Sequence, residues 1–316
     1  MNFFLILLSG IMVVIPFYMT NYFFLSWIAF IPAIFVFKNI NFKNTFFYGW
    51  LLGLIIMSGT SYWLFYPMRD FSGLPLILII IALFLLFSGF ALSYGFWSLI
   101  LNKIGVGPFR IAVSWTAIEF LRYKLLSFFP IGYLGYTQSN FKLILQWAEL
   151  GGIFIISFFI LLINGYLYKF FEQKKTVYLI LTLFIFIIII SYGGYKLNYY
   201  NDYLDNKPKS NKVGLVQTLI PQEKKWRSGQ ISKNIDRVFK DYETMKNKNV
   251  KLVITPETGL TFDIIRNGYY REKVIKQIKE GESYYQIGSQ SIIKNPDELY
   301  NSIFLYFIVS FYKYLS

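Results

Sequence analysis

Seven apolar runs, at approximately residues 3–19, 22–37, 46–66, 74–101, 111–127, 147–170 and 177–194, leave this chain few ways to fold. A helix rising about 1.5 Å per residue needs roughly 20 residues to cross a hydrocarbon layer about 30 Å thick, and most of these runs reach that length. The expected architecture is a polytopic α-helical membrane domain of about seven spans. The first two runs are short, and could instead form one helical hairpin turned at "TNY". A cleaved signal peptide is not expected, because "MNFF" carries no basic residues and no A-x-A site follows. With 55% hydrophobic and only 15% charged residues, the composition argues against an ordinary soluble protein of 316 residues.

The few charges in this region set an orientation. Lys38, Lys43, Lys103, Arg110, Lys169, Lys174 and Lys175 occupy one set of alternating loops, whereas Arg69 and Lys142 are the only basic residues of the other set. Basic loops stay in the cytoplasm, so seven spans place the amino terminus inside and everything after residue 194 outside the cytoplasm. The net charge of +14 is accounted for by these loops and a solvated surface rather than by a nucleic-acid partner. There is no Cys and no His, which excludes disulfides, Cys/His zinc sites, cysteine nucleophiles and histidine-based triads within these residues. No metal site or cofactor is expected.

Residues 1–194 therefore read as the membrane domain and 195–210, containing "NYYNDYLDNKPKS" after Gly193 and Gly194, as a linker. Residues 211–316 change character. "KVGLVQTLI" (212–220) predicts a strand, 228–247 an amphipathic helix, "KLVITPE" a strand and 263–281 a helix, followed by "YYQIGSQSII" and "LYNSIFLYFIV" as strands. Alternating strands and helices predict a sheet that is at least partly parallel and covered by helices.

Within this pattern, "TPE" puts Glu257 at the carboxyl end of a buried strand, where open α/β folds carry their reactive groups and where a proline stops the ladder. Glu257 is placed like a general base; a surface glutamate at a strand-to-loop junction gives the same tripeptide. Upstream, Lys224, Lys225 and Trp226 form a cluster facing either a substrate or the lipid interface. In the membrane half, Glu119 and Arg122 lie three residues apart on one helical face, which predicts an internal ion pair or a lipid-headgroup contact. Glu149 heads the sixth run and suits the interface.

Several segments resemble one family in the same order. "WTAIEFLR", "FPIGYLGYTQ", "LGGIFIISF" and "SYWLFYPMRDFSGLP" are similar to the membrane half of bacterial apolipoprotein N-acyltransferase, and "VGLVQ", "KKW", "TPET" and "YNSIFL" to the start of its carbon-nitrogen-hydrolase (nitrilase-like, αββα) domain. The resemblance implies a Glu-Lys-Cys triad on a nitrilase-like domain outside the cytoplasmic (inner) membrane. In that chemistry the glutamate takes the thiol proton, the thiolate attacks a phospholipid ester to give a thioester, and the lysine stabilises the oxyanion. The acyl chain then passes to the amino-terminal cysteine of an apolipoprotein, the last step of lipoprotein maturation. Phospholipid, apolipoprotein and the bilayer are thus the implied partners.

By this resemblance Glu257 is the base, and Trp226 and Lys225 lie on the substrate side. The family's lysine segment, "YxKxxLVPFGE", has no counterpart here. Lys313 is a candidate substitute without that context, and the cysteine is missing. About 106 residues follow 210, fewer than a large α/β domain requires, so an incomplete nitrilase-like domain is expected, from a truncated or frameshifted product with no activity of its own. The competing reading is a non-catalytic membrane scaffold, lipid-binding protein or transporter. Against the last, no inverted repeat or pair of Gly/Pro-broken helices is visible.

Overall fold

The computed structural model describes residues 1–126, 129–207, 212–217, 219–221, 225, 229–246, 248, 250–279, 283–292, 299–306 and 311–314. The chain divides into two units, Met1–Asp205 and Asn206–Ser316.

The first unit is helical. Its elements are α1 (Asn2–Tyr18), a 3₁₀ segment (Thr20–Trp27), α2 (Ile31–Asn39), α3 (Phe42–Ser61), a second 3₁₀ turn (Tyr62–Leu64), α4 (Phe65–Phe71), α5 (Leu76–Ile104) and α6 (Pro108–Leu125). After a third 3₁₀ segment (Leu134–Gln138) come α7 (Lys142–Leu145), α8 (Ala148–Gln173) and α9 (Val177–Asp205). In their described residues the seven apolar runs are mostly helical. Among the described residues, five stretches are long and apolar enough to cross a membrane: Thr20–Asn39, Phe42–Phe71, Leu76–Ile104, Ala148–Gln173 and Val177–Asp205. The other two runs fall outside that set for different reasons. The helix α1 has 17 residues, and α6 carries Arg110, Glu119, Arg122 and Lys124.

Close packing explains the small residues. On α3, Gly49 and Gly53 are four apart and face α5, where a Cβ on Gly49 would lie 2.2 Å from Ser98 Oγ and one on Gly53 2.8 Å from Ala91 Cα. Helices in lipid gain little from hydrophobic exclusion, so they associate through backbone approaches of this kind. The adjoining core is aromatic. Trp115 packs at 4.8 Å from Tyr94, 5.0 Å from Trp97 and 5.6 Å from Phe30, and Trp97 Nε1 donates to Ser114 Oγ at 3.1 Å. Outward, α5 and α9 expose Ile77, Leu85, Leu183, Phe184 and Ile187, a surface suited to lipid.

The break between the first 3₁₀ segment and α2 is held from a distance. Asn164, buried in α8, accepts from Phe30 N at 2.9 Å and donates through Nδ2 to Ser26 O at 2.9 Å. The residues read as a linker are helical as far as Asp205, because Gly193 and Gly194 do not end α9. Gly193 is where α9 crosses α7: a Cβ there would lie 2.2 Å from Leu143 O. Lys196 and Glu149 pair at 2.8 Å, joining the late part of α9 to the start of α8.

Among the described residues, the second unit contains a six-stranded mixed sheet and the two helices named below. Its elements are β1 (Lys212–Leu215), α10 (Ile231–Lys246), β2 (Val250–Ile254), β3 (Leu260–Asp263), α11 (Gly268–Lys279), β4 (Tyr284–Ile292), β5 (Leu299–Tyr306) and β6 (Phe311–Tyr314). The order is β1-β2-β4-β5-β6, with β3 also paired to β4. β1, β2 and β4 are parallel, and β4, β5 and β6 antiparallel. The amphipathic helices bury Ile235, Val238 and Phe239 from α10 and Val274 and Ile278 from α11 against Val253, Phe262, Tyr285 and Ile287 of the sheet. β3 and β6 are additions to the expected strands, and β1 ends five residues before the predicted 220.

Candidate functional site

Glu257 sits where a strand is interrupted. β2 pairs with residues 284–286 of β4, and β3 pairs, also parallel, with Ser289 and Gln290. Since β5 takes up the other edge of β4 from Tyr285 to Ile292, β2 and β3 share one edge, and the turn Thr255–Gly259 is an excursion between them. The ladder runs one residue past β2, Thr255 N donating to Gln286 O at 2.9 Å, and then stops because Pro256 has no N–H to offer. Thr255 Oγ1 accepts from Gly288 N at 3.1 Å, and Gly259 N closes the turn onto Pro256 O at 3.0 Å. Thr258 takes the left-handed conformation at φ +50°, which leaves the side chain of Glu257 exposed.

Gly288 makes this turn possible. A Cβ at that position would lie 2.4 Å from Pro256 O and 3.1 Å from Glu257 Cα, so the turn rests directly on the glycine backbone of β4. A lone glycine inside "YYQIGSQSII" is a sequence signal for close backbone approach, and it escaped the sequence reading.

The structure brings Lys225 to the same turn. Its Nζ donates to Thr258 Oγ1 at 2.8 Å, its N–H bonds Pro221 O at 3.0 Å, and its carbonyl accepts from Asn234 Nδ2 at 3.2 Å. Asn234, buried on α10, also donates to Thr261 Oγ1 of β3 at 3.2 Å, so one amide fastens the lysine segment to the strand that follows the turn. Burial lowers the pKa of Lys225, and the neighbouring Glu257 carboxylate opposes that shift. Glu257 is thereby an exposed carboxylate beside an ammonium, and a carboxylate is one of the side chains that serve as a general base.

The other candidates lie elsewhere. Lys224 and Trp226 fall outside the described residues. Lys313 is opposite Phe304 in the β5–β6 ladder. Ser289 is buried and donates to Phe262 O at 2.7 Å, which engages it in the sheet.

In the first unit, Glu119 and Arg122 are both buried, at 1% and 6% exposure. Among the described residues no direct ion pair joins them. Each instead holds the segment after α6: Leu134 N donates to Glu119 Oε1 at 2.8 Å, and Arg122 Nη2 donates to Gly132 O at 3.1 Å with its guanidinium 4.9 Å from the Tyr133 ring centroid. Gly135 N adds a bond to Ser157 Oγ of α8 at 3.0 Å. Irregular backbone beside apolar helices needs such partners.

Among the described residues, five long apolar helical stretches in one unit and a mixed sheet with an exposed, lysine-flanked carboxylate in the other define a membrane protein with an appended α/β unit. Comparison with known proteins makes the assignment specific. Residues 9–166 match the apolipoprotein N-acyltransferase N-terminal domain, and the chain belongs to the apolipoprotein N-acyltransferase family. It is 31% identical over 261 residues to the apolipoprotein N-acyltransferase of Wigglesworthia glossinidia brevipalpis, a match covering 81% of this chain and 50% of that protein. The corresponding proteins of Geobacter metallireducens and Coxiella burnetii are 25% and 26% identical, over 94% and 81% of this chain and 59% and 53% of their own lengths. The chain thus spans about half the length of the curated relatives it matches.

Proposed function

We propose that these 316 residues supply the membrane unit and the base-bearing part of an enzyme that moves an acyl chain from a phospholipid to the amino-terminal cysteine of apolipoproteins. The observation that carries this reading is the Glu257 turn, an exposed carboxylate on an interrupted strand with the Lys225 ammonium bonded to the next residue. Glu257 takes the proton of a thiol; the thiolate attacks the phospholipid ester carbonyl, the lysophospholipid alkoxide leaves, and a thioester remains. The cysteine amine then attacks the thioester, giving an amide and returning the thiol. The thiol is not among these residues, which contain no cysteine, so this chain alone forms no thioester. We place Lys225 and Trp226 at the substrate side and leave the role of the triad lysine unassigned, with Lys313 as its one candidate here.

The same reading treats 1–194 as the membrane domain, 195–210 as a connector and 211–316 as part of a nitrilase-like domain. It counts seven spans, adding α1 and α6 to the five. The charges of α6 do not prevent spanning, since Glu119 and Arg122 are buried and bonded to backbone while Arg110 and Lys124 lie near its ends. We assign the chain to the inner membrane, with the basic loops in the cytoplasm and the second unit outside it.

Two measurements test the proposal. A chimera continuing this chain with the part of the Wigglesworthia relative that the match leaves uncovered should acylate a diacylglyceryl-cysteine peptide from labelled phospholipid, whereas this chain alone should take up no stable label. Covalent label on the cysteine-free chain would overturn the thioester route. For sidedness, an impermeant maleimide should label Tyr269→Cys but not Lys174→Cys in cells with a permeabilised outer envelope; the opposite pattern reverses the topology.

A further inference from the structure

We propose that the first unit carries a binding site for an anionic phospholipid headgroup, built from Lys38, Arg110 and Lys169 and using none of the residues assigned to acyl transfer. Four helices meet at one place: the last turns of α2 and α5, the end region of α8 around Lys169 and the first turn of α6. They border an open cavity of about 520 Å³ whose lining includes Lys38, Asn102, Gly105, Pro108, Arg110 and Lys169. The three cations come from three different helices, so the site exists only in the folded unit.

The walls of the cavity are fixed. Asn102 Nδ2 bonds Phe37 O and Ile40 O, each at 3.2 Å, which ties the end of α2 to α5. Gly105, at φ +85°, turns the chain from α5 towards α6, and the Arg110 guanidinium donates back to Ile104 O. Among the described residues, Glu172 is the one carboxylate paired with the cluster. It pairs with Lys38 and, at 2.7 Å, with Lys169, and it leaves the group with an excess of two positive charges.

A phosphodiester satisfies that excess, and two features favour a lipid over a free anion. The site lies at the ends of apolar helices, and its lining includes Phe109, 65% exposed, with exposed Ile104 directly before Gly105. An acyl chain lying along these side chains would continue from a phosphate held by Arg110 and Lys169. Basic pockets between spans on the cytoplasmic side are a recurring way of holding anionic lipids, and each cation near such a headgroup contributes about fivefold in affinity.

The test titrates the delipidated full chain in detergent with phosphatidylglycerol and with phosphatidylethanolamine, counting bound lipid by native mass spectrometry. Phosphatidylglycerol should be preferred, and Arg110→Gln with Lys169→Gln should weaken it by about 25-fold without changing phosphatidylethanolamine retention. Arg110→Lys should keep the preference. Glu172→Gln, which removes the competing carboxylate, should tighten phosphatidylglycerol binding and stands as a separate test should the double variant fail to fold. An unchanged preference in the folded double variant, or unaltered binding in Glu172→Gln, overturns the site. Competition by inorganic phosphate at the same concentration as by lipid would identify a soluble-anion site and equally overturn the proposal.

Discussion

In the chimera that restores the thiol, Glu257→Gln lowers acyl transfer by about 10²–10⁴-fold, the range contributed by a positioned general base. The substitution keeps the shape and removes the ability to accept a proton. Thr255, Gly259 and Gly288 close the turn through backbone and hydroxyl bonds, and Lys225 bonds Thr258. Unfolding of the second unit should therefore be unaltered, and the loss should appear in the formation of the thioester rather than in phospholipid binding. Glu257→Asp, which withdraws the carboxylate by one methylene, should fall between the two. A Glu257→Gln chimera within tenfold of the parent would remove Glu257 from the role of base.

Asn164→Ala should destabilise the first unit by about 2–4 kcal/mol, because it strands two backbone groups at once. Phe30 N and Ser26 O lie where the first 3₁₀ segment gives way to α2, and the Asn164 amide is their cross-chain partner. Asn164 is fully buried, and neither lipid nor the aromatic core offers a replacement donor or acceptor. Trp27, one residue past Ser26, and the cluster of Trp97 and Trp115 around Phe30 provide a fluorescence readout in mixed micelles. A loss below about 0.5 kcal/mol would mean that water or backbone adjustment satisfies both groups, and that Asn164 does not hold the break.

The contrast between these two residues explains what could be read in the amino acids beforehand. The position of Glu257 just past a strand end was legible because proline after an apolar strand signals the end of a ladder by local chemistry alone. The helical character of the apolar runs was legible for the same reason, since length and apolarity are local. Asn164 was not, because its partners are more than 130 positions away and one polar residue in an apolar run does not announce which backbone it serves. Gly193 and Gly194 suggested a linker by composition, yet Gly193 is required for the contact of α9 with Leu143, a reason that only the packed neighbour reveals. Glu119 and Arg122 were recognised as buried and in need of partners. What the sequence did not show is that one carbonyl and one amide, brought close by the return of the chain after α6, bond to each of them separately.

That return segment has a consequence for how the protein is made. Gly132 O and Leu134 N find their partners on α6, and Gly135 N finds its own on α8. While the chain is being inserted helix by helix, residues 132–135 emerge before α8 exists, so at least Gly135 N must remain hydrated until that later helix arrives alongside α6. Docking of the segment is therefore a late event of biogenesis, and any agent that delays the meeting of α6 and α8 would leave this stretch of backbone open to water and to membrane proteases.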